Sequence, residues 1–262
     1  MITVGLVAAF LFSLLPPATS IRGYQRISHA TTTMEIGALY TSIVCHAHNP
    51  SAVAAQSGPI VMRLSALRSK LNRIHAMTRN TIYEISIQGA WPKERYHVLY
   101  EVQLELVALL SQLLSVVERL DPIWTRAFLR RTRFLDPEFL ADVLACLTMI
   151  SNALRTAKPL PHVTPVLLEQ FSREQQRFGL LDARSVDDED PSLPRVITFD
   201  TLQNQQYMYF CVGVASANAI VTRVDRLMIA TKSLVGEHLQ VYGLELPRLR
   251  RFGTYEGSRF SV

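Results

Sequence analysis

Ile2 to Leu15 is an uncharged, mostly apolar run that closes on Pro16 and Pro17. Beyond it the pattern becomes periodic. Between about Arg22 and Cys45, Ile27, Met34, Leu39 and Ile43 lie among small residues, and Asn49-Pro50 stops the segment, which predicts a helix. From Gly58 to Gln88, Ile60, Leu64, Leu67, Leu71, Ile74, Met77 and Ile85 recur at helical spacing, with Arg63, Arg68, Lys70 and Arg73 in other positions. This is an amphipathic helix pattern, broken at Gly89 to Pro92. A third helix, about Pro92 to Leu120, carries Leu99, Val102, Leu106, Leu109, Leu113, Val116 and Leu120. The short break between the second and third helices implies an antiparallel hairpin.

Asp121-Pro122 and Asp136-Pro137 each read as a helix start, with Asp as N-cap and Pro at the first helical position. They frame a short basic helix (Trp124 to Phe134) and an apolar one (Glu138 to Thr156). Pro159, Pro161 and Pro165 end that run and open another helix to about Phe178. Asp182 to Pro194, with Asp187, Asp188, Glu189 and Asp190, reads as a solvated, mobile loop. A long final helix follows from about Val196 to Gly236. Thr201 to Thr222 within it holds no charge, but Gln203, Asn204, Gln205, Gln206 and Asn218 favour a buried bundle helix over a membrane span. The tail after Gly243, with Arg248, Arg250 and Arg251, reads as irregular.

Composition sharpens the fold class. Apolar residues make up 48% of the 262-residue chain and charged residues 19%, which excludes global disorder. The mean hydropathy of +0.14 is high for a soluble protein. Only 11 glycines are present, too few for the tight turns of an all-β fold. The expectation is an all-α helical bundle with long antiparallel helices, preceded by a short apolar helix. Residues 1–17 form a partial transmembrane helix, 18–243 the bundle with its acidic loop at 182–194, and 244–262 a basic tail.

The apolar run allows three readings. At about 1.5 Å per residue it covers about 21 Å, short of the roughly 30 Å hydrocarbon core. A signal peptide ending at Ala18-Thr19-Ser20 would lack its basic n-region. A buried soluble helix would be odd without a polar face. The favoured reading is the end of a membrane helix. Arg22 and Arg26 follow it and nothing basic precedes it, so the positive-inside rule places the remainder in the cytosol. Cys45, Cys146 and Cys211 are odd in number and far apart, which fits a reducing compartment. Asn49-Pro50-Ser51 cannot be a glycosylation acceptor because of its proline.

The net charge is +5 and the pI near 9.3, a modest excess that identifies no partner by itself. No phosphate loop, nucleophile elbow or zinc-protease motif occurs, and no catalytic, cofactor or metal residues are nominated. Cys45, His46 and His48 read as ordinary helix-end residues rather than metal ligands. Glu94-x-x-His97, continued by Glu101 and Glu105, has the spacing of half a di-iron site. Its second half is missing, so a solvated acidic face is expected. In the basic cluster Arg126, Arg130, Arg131 and Arg133, the favoured reading packs Trp124, Phe128 and Phe134 inward. A helix lying on anionic lipid comes second, and nucleic acid is not expected.

Three stretches resemble a known family. They are Arg22-Gly-Tyr-Gln-Arg26 through Leu39-Tyr40, Leu120-Asp-Pro-Ile-Trp-Thr-Arg126 through Leu154 with Pro159-Leu-Pro161, and Arg223-Val-Asp-Arg-Leu227 followed by Lys232-Ser-Leu-Val-Gly-Glu237. In order and spacing the chain is similar to the C-terminal domain of fungal brefeldin-A-sensitivity proteins, large transporters of the endoplasmic reticulum or plasma membrane related to fusaric-acid and aromatic-acid exporters. The resemblance implies a non-catalytic cytosolic domain with a regulatory, assembly or gating role. Its implied partners are membrane lipid, the parent's membrane helices or further copies of itself, without cofactors. The alternatives are a free-standing scaffold or adaptor at a membrane surface, or a secreted helical protein if residues 1–20 are a signal peptide.

Overall fold

The computed structural model describes residues 3–6, 21–48, 57–79, 91–178, 198–241 and 244–247. Residues 3–6 are helical. The helices that follow are α1 (Ile21–His48), α2 (Ser57–Met77), α3 (Lys93–Val117), α4 (Pro122–Arg131), α5 (Pro137–Thr156), α6 (Leu167–Phe178), α7 (Phe199–Gln203) and α8 (Gln205–Val235). Short strands β1 (Leu160–Pro161), β2 (Glu237–Val241) and β3 (Leu244–Pro247) close one end. The fold is an all-α bundle.

Four long helices form its centre. α3 and α8 run antiparallel: Arg95 donates to the Ser233 carbonyl, Arg223 pairs with Glu105 at 2.7 Å, and Gln206 grips the end of α3 through Arg119 O and Asp121 N. α1 and α5 are also antiparallel, since Ser151 donates to the Ala30 carbonyl while Gly37 lies against Leu144 and Leu147. α1 and α3 run parallel, from Arg22 over Trp91 to His29 on Gln103. The expected alternation is therefore incomplete, because the parallel pairs α1/α3 and α5/α8 close the square. α2 packs outside, against α1 and α3. The predicted hairpin of the second and third helices is present, with Asn72 accepting from the Tyr100 hydroxyl and His75 stacked on Tyr100.

Among the described residues two helices, α3 and α5, are long and apolar enough to cross a membrane. Their placement in the core accounts for that apolarity, because Leu99, Leu106, Leu110 and Leu113 of α3 and Val143, Leu147 and Ile150 of α5 are all buried. Among the described glycines, Gly213 of α8 has the least room for a side chain. A Cβ there would lie 2.9 Å from Phe128 Cε2 and 3.1 Å from Val116 Cγ1. Only a hydrogen fits without moving a ring that is itself fully buried.

Several expectations need correction. The second helix ends at Met77, and Ile85 with the rest of 80–90 lies outside the described residues, as does the acidic loop 182–194. The final helix is two: Thr198 and Thr201 form a reciprocal capping box for α7, and Asn204 caps α8 by accepting from Gln206 N. An Asn side chain that satisfies the next helix's first donors competes with continuing the old one. The segment after Gly243 begins as strand β3, antiparallel to β2 in the register Leu239 to Leu246, while β1 lies parallel to β2. The tail beyond 247 lies outside the described residues. Of the two Asp-Pro starts, Asp136 accepts from Glu138 N and Phe139 N, whereas Asp121 makes no side-chain cap bond.

The outer face of α1 is unusual. Tyr24, Ile27, Met34, Ala38 and Cys45 are exposed, with Thr31 and Thr41 half-buried between them. The alternating steps of three and four keep these positions on one side of the helix. No charge falls on this stripe for six turns, although Ile27 and Met34 are 47% and 43% exposed.

Candidate functional site

Where α2 ends and α3 begins, the two helices and α1 enclose an open cleft of about 780 Å³. This lies within the roughly 300–1,000 Å³ common for small-molecule sites. His29 of α1 forms its inner wall; Tyr96 and Tyr100 of α3 and His75 of α2 add flat surfaces; Arg79, Lys93 and Glu94 stand at its rim.

The inner wall is held by a buried polar network. Gln103 Nε2 donates to the His29 carbonyl at 3.0 Å and to Thr33 Oγ1 at 2.9 Å. With its amide nitrogen committed, Gln103 can offer His29 only its oxygen, which lies 2.7 Å from Nδ1. The proton therefore sits on Nδ1, and Nε2 is a bare acceptor. His29 is only 3% exposed. Burial holds its pKa down, at about 4; the bond to Gln103 opposes this and the nearby His75 adds to it. The ring is neutral at physiological pH. Beside it, burial raises the Tyr96 hydroxyl to about 12, partly offset by Arg26. That ring stacks on Trp91, with centroids 4.1 Å apart. The cleft thus offers flat apolar walls, one fixed acceptor at its base and charged groups at its mouth. Among the described residues no nucleophile–base pair lies within it.

Of the acidic face that begins at Glu94-x-x-His97, only the first pair reaches the cleft. Glu94 and His97 both line the cleft, but Glu101 turns away to pair with His97 at 3.2 Å and Glu105 bridges to Arg223. Among the described residues no group of three His, Cys, Asp or Glu side chains is placed to hold a metal ion. Cys45 and His48 are exposed while His46 is buried, so these three diverge around the end of α1. The basic cluster packs as favoured: Trp124, Phe128 and Phe134 are buried, and Phe134 meets Tyr40 and Phe128 edge-on at 5.6 Å. The lipid-surface alternative would put those rings at the headgroups, whereas here they pack into the core.

His29, His75, Arg79 and Gln103 went unnominated from sequence. Residues 74 apart, as His29 and Gln103 are, meet only through the parallel packing of α1 and α3. His75, in the last turn of α2, and Arg79, two residues past its end, are four apart, and with Glu94 and His97 at the start of the next helix that spacing is the available signal.

An uncharacterized protein of Schizosaccharomyces pombe is 34% identical over 244 residues, which is 92% of this chain but 18% of the relative. The chain thus spans about a fifth of that relative's length. No solved structure matches. The family described as the Brefeldin A-sensitivity protein 4-like domain matches residues 24–239, from the first turn of α1 into β2. With the match covering nearly all of the bundle, the chain belongs to the Brefeldin A-sensitivity protein 4-like domain family.

Proposed function

We propose that this chain is a non-catalytic, cytosolic module of a longer, transporter-like membrane protein, where it serves a regulatory, assembly or gating role. The observation that carries this reading is the charge-free outer face of α1. Globular surfaces normally carry charge on about a quarter or more of their positions, so an uncharged stripe of six turns favours contact with another apolar element. The occupant we assign to it is the membrane helices of the parent protein. Two observations support that choice. α1 starts just after the apolar run that ends at Leu15. The S. pombe relative has about four-fifths of its length beyond the matched region, ample for such helices.

The expressed chain is expected to stay with the membrane pellet, to keep its N-terminus, and to be digested by protease added from the cytosolic side. The apolar run is shorter than a full span, so its own hold on the bilayer is marginal and is assisted by the basic residues behind it. Recovery of a secreted chain beginning near Ile21 refutes the topology in favour of the secreted reading. A wholly soluble chain favours the free-standing adaptor.

A further inference from the structure

The cleft holds chemistry that packing leaves unused. His29 is almost fully buried but lines the cleft, and the bond to Gln103 takes only its Nδ1, so that Nε2 makes no hydrogen bond among the described residues. An acceptor at the base of an open cleft is satisfied by water until a ligand's donor replaces it. Arg79 and Lys93 line the mouth without a carboxylate partner among the described residues. The positive end of the α3 dipole lies at the same mouth, where Lys93 N already donates to Trp91 O and Arg95 N to Pro92 O, which leaves Glu94 N as the first-turn donor without a partner among the described residues.

We propose that this cleft binds a flat-ringed small molecule carrying a carboxylate or phosphate at one end and an N–H or O–H donor at the other. The anionic end meets Arg79, Lys93 and the start of α3. The ring lies among the Tyr96, Tyr100 and His75 side chains that line the cleft, and the donor reaches His29 Nε2. Glu94 on the same rim disfavours highly charged anions such as triphosphates. The volume of about 780 Å³ is far larger than an inorganic ion needs, which is why a ring is included. The inference stands on the cleft alone and does not depend on the membrane reading above.

Two probes separate the anion's source: AMP carries a phosphate and exocyclic N–H donors, and orotate carries a carboxylate and ring N–H donors. Calorimetric titration of the full chain in matched buffer is expected to show saturable binding of at least one, with Kd below about 1 mM. The matching uncharged compound, adenosine or uracil, should bind at least about tenfold more weakly, as should inorganic phosphate. Arg79→Ala, at an exposed position, should keep the wild-type Tm and weaken the anion by about tenfold or more. In the complex the ¹⁵N resonance of His29 Nε2 should move upfield as it accepts a hydrogen bond, a signature that surface charge alone does not produce. Absence of binding by both probes at about 10 mM overturns the proposal. So does equal affinity for adenosine or uracil, an unchanged affinity in Arg79→Ala, or a static His29 resonance.

Discussion

Leu71→Asp is expected to cost the bundle about 4 kcal/mol or more, a large share of the roughly 5–15 kcal/mol typical of a folded domain. Leu71 is 0% exposed and belongs to the seam Ile60, Leu64, Leu67, Leu71 and Ile74, the buried face of α2. Those residues fill the space between α1 and α3, and no basic group is among them to receive a carboxylate. An aspartate there must either stay charged without a partner or take up a proton at neutral pH, and both are costly. Ser69→Asp, two residues away on the exposed face, introduces the same charge and is expected to change stability by no more than about 0.5 kcal/mol. Urea denaturation of the two variants checks the assignment: similar losses in both would mean that α2 does not present this seam to the core.

The second large effect is acid loss centred on His29. Its pKa falls from an ordinary 6.5 to about 4 in the fold. Between those values the unfolded chain binds a proton that the folded chain refuses, so stability rises with pH across the window. The contribution is fully present above pH 6.5 and declines as pH falls. By about pH 4 on the order of 3 kcal/mol is lost, with no further loss from this group below that. Burial also lowers the pKa of His46, which outweighs the attraction of Glu118 and adds a loss in the same direction. Chemical denaturation at a series of pH values should show this slope in the wild type. His29→Asn is less stable at neutral pH but should show a shallower slope between pH 6.5 and 4.5. An identical slope in both proteins would assign the acid loss elsewhere.

Much of the architecture was legible because burial and helical period coincide in this chain. The α2 seam repeats at steps of four and three, and every one of its predicted positions from Ile60 to Ile74 is buried. Proline and aspartate marked the starts of α4 and α5 to the residue. What escaped was what depends on competition between neighbours. Asn204 looks from sequence like one more amide in a long helix, and its capping of α8 is visible only once Gln206 is seen to grip the end of α3. Strands β2 and β3 went unread because a sheet this small draws its stability from pairing across segments far apart in sequence, β1 included. The cleft was less legible still. Its chemistry comes from three helices, and the residue that defines it, His29, has no local pattern. The spacing of Glu94 and His97 marks the pair in the sequence but carries no information on what brings it beside His75 and Arg79.

Cys45 gives the most direct test of the assignment of α1's outer face to the parent's membrane helices. It is exposed on that face, whereas Cys146 is buried in the core, so the two thiols report separately on docking and on folding. Membranes bearing the protein are treated with a bulky maleimide from the cytosolic side, and the labelled sites are located by mass spectrometry. The account predicts that Cys45 resists labelling in intact membranes and reacts once mild detergent frees the face, while Cys146 stays unlabelled in both. Labelling of Cys45 in intact membranes as fast as in detergent would contradict it, as would oxidative coupling of Cys45 to a second copy of itself.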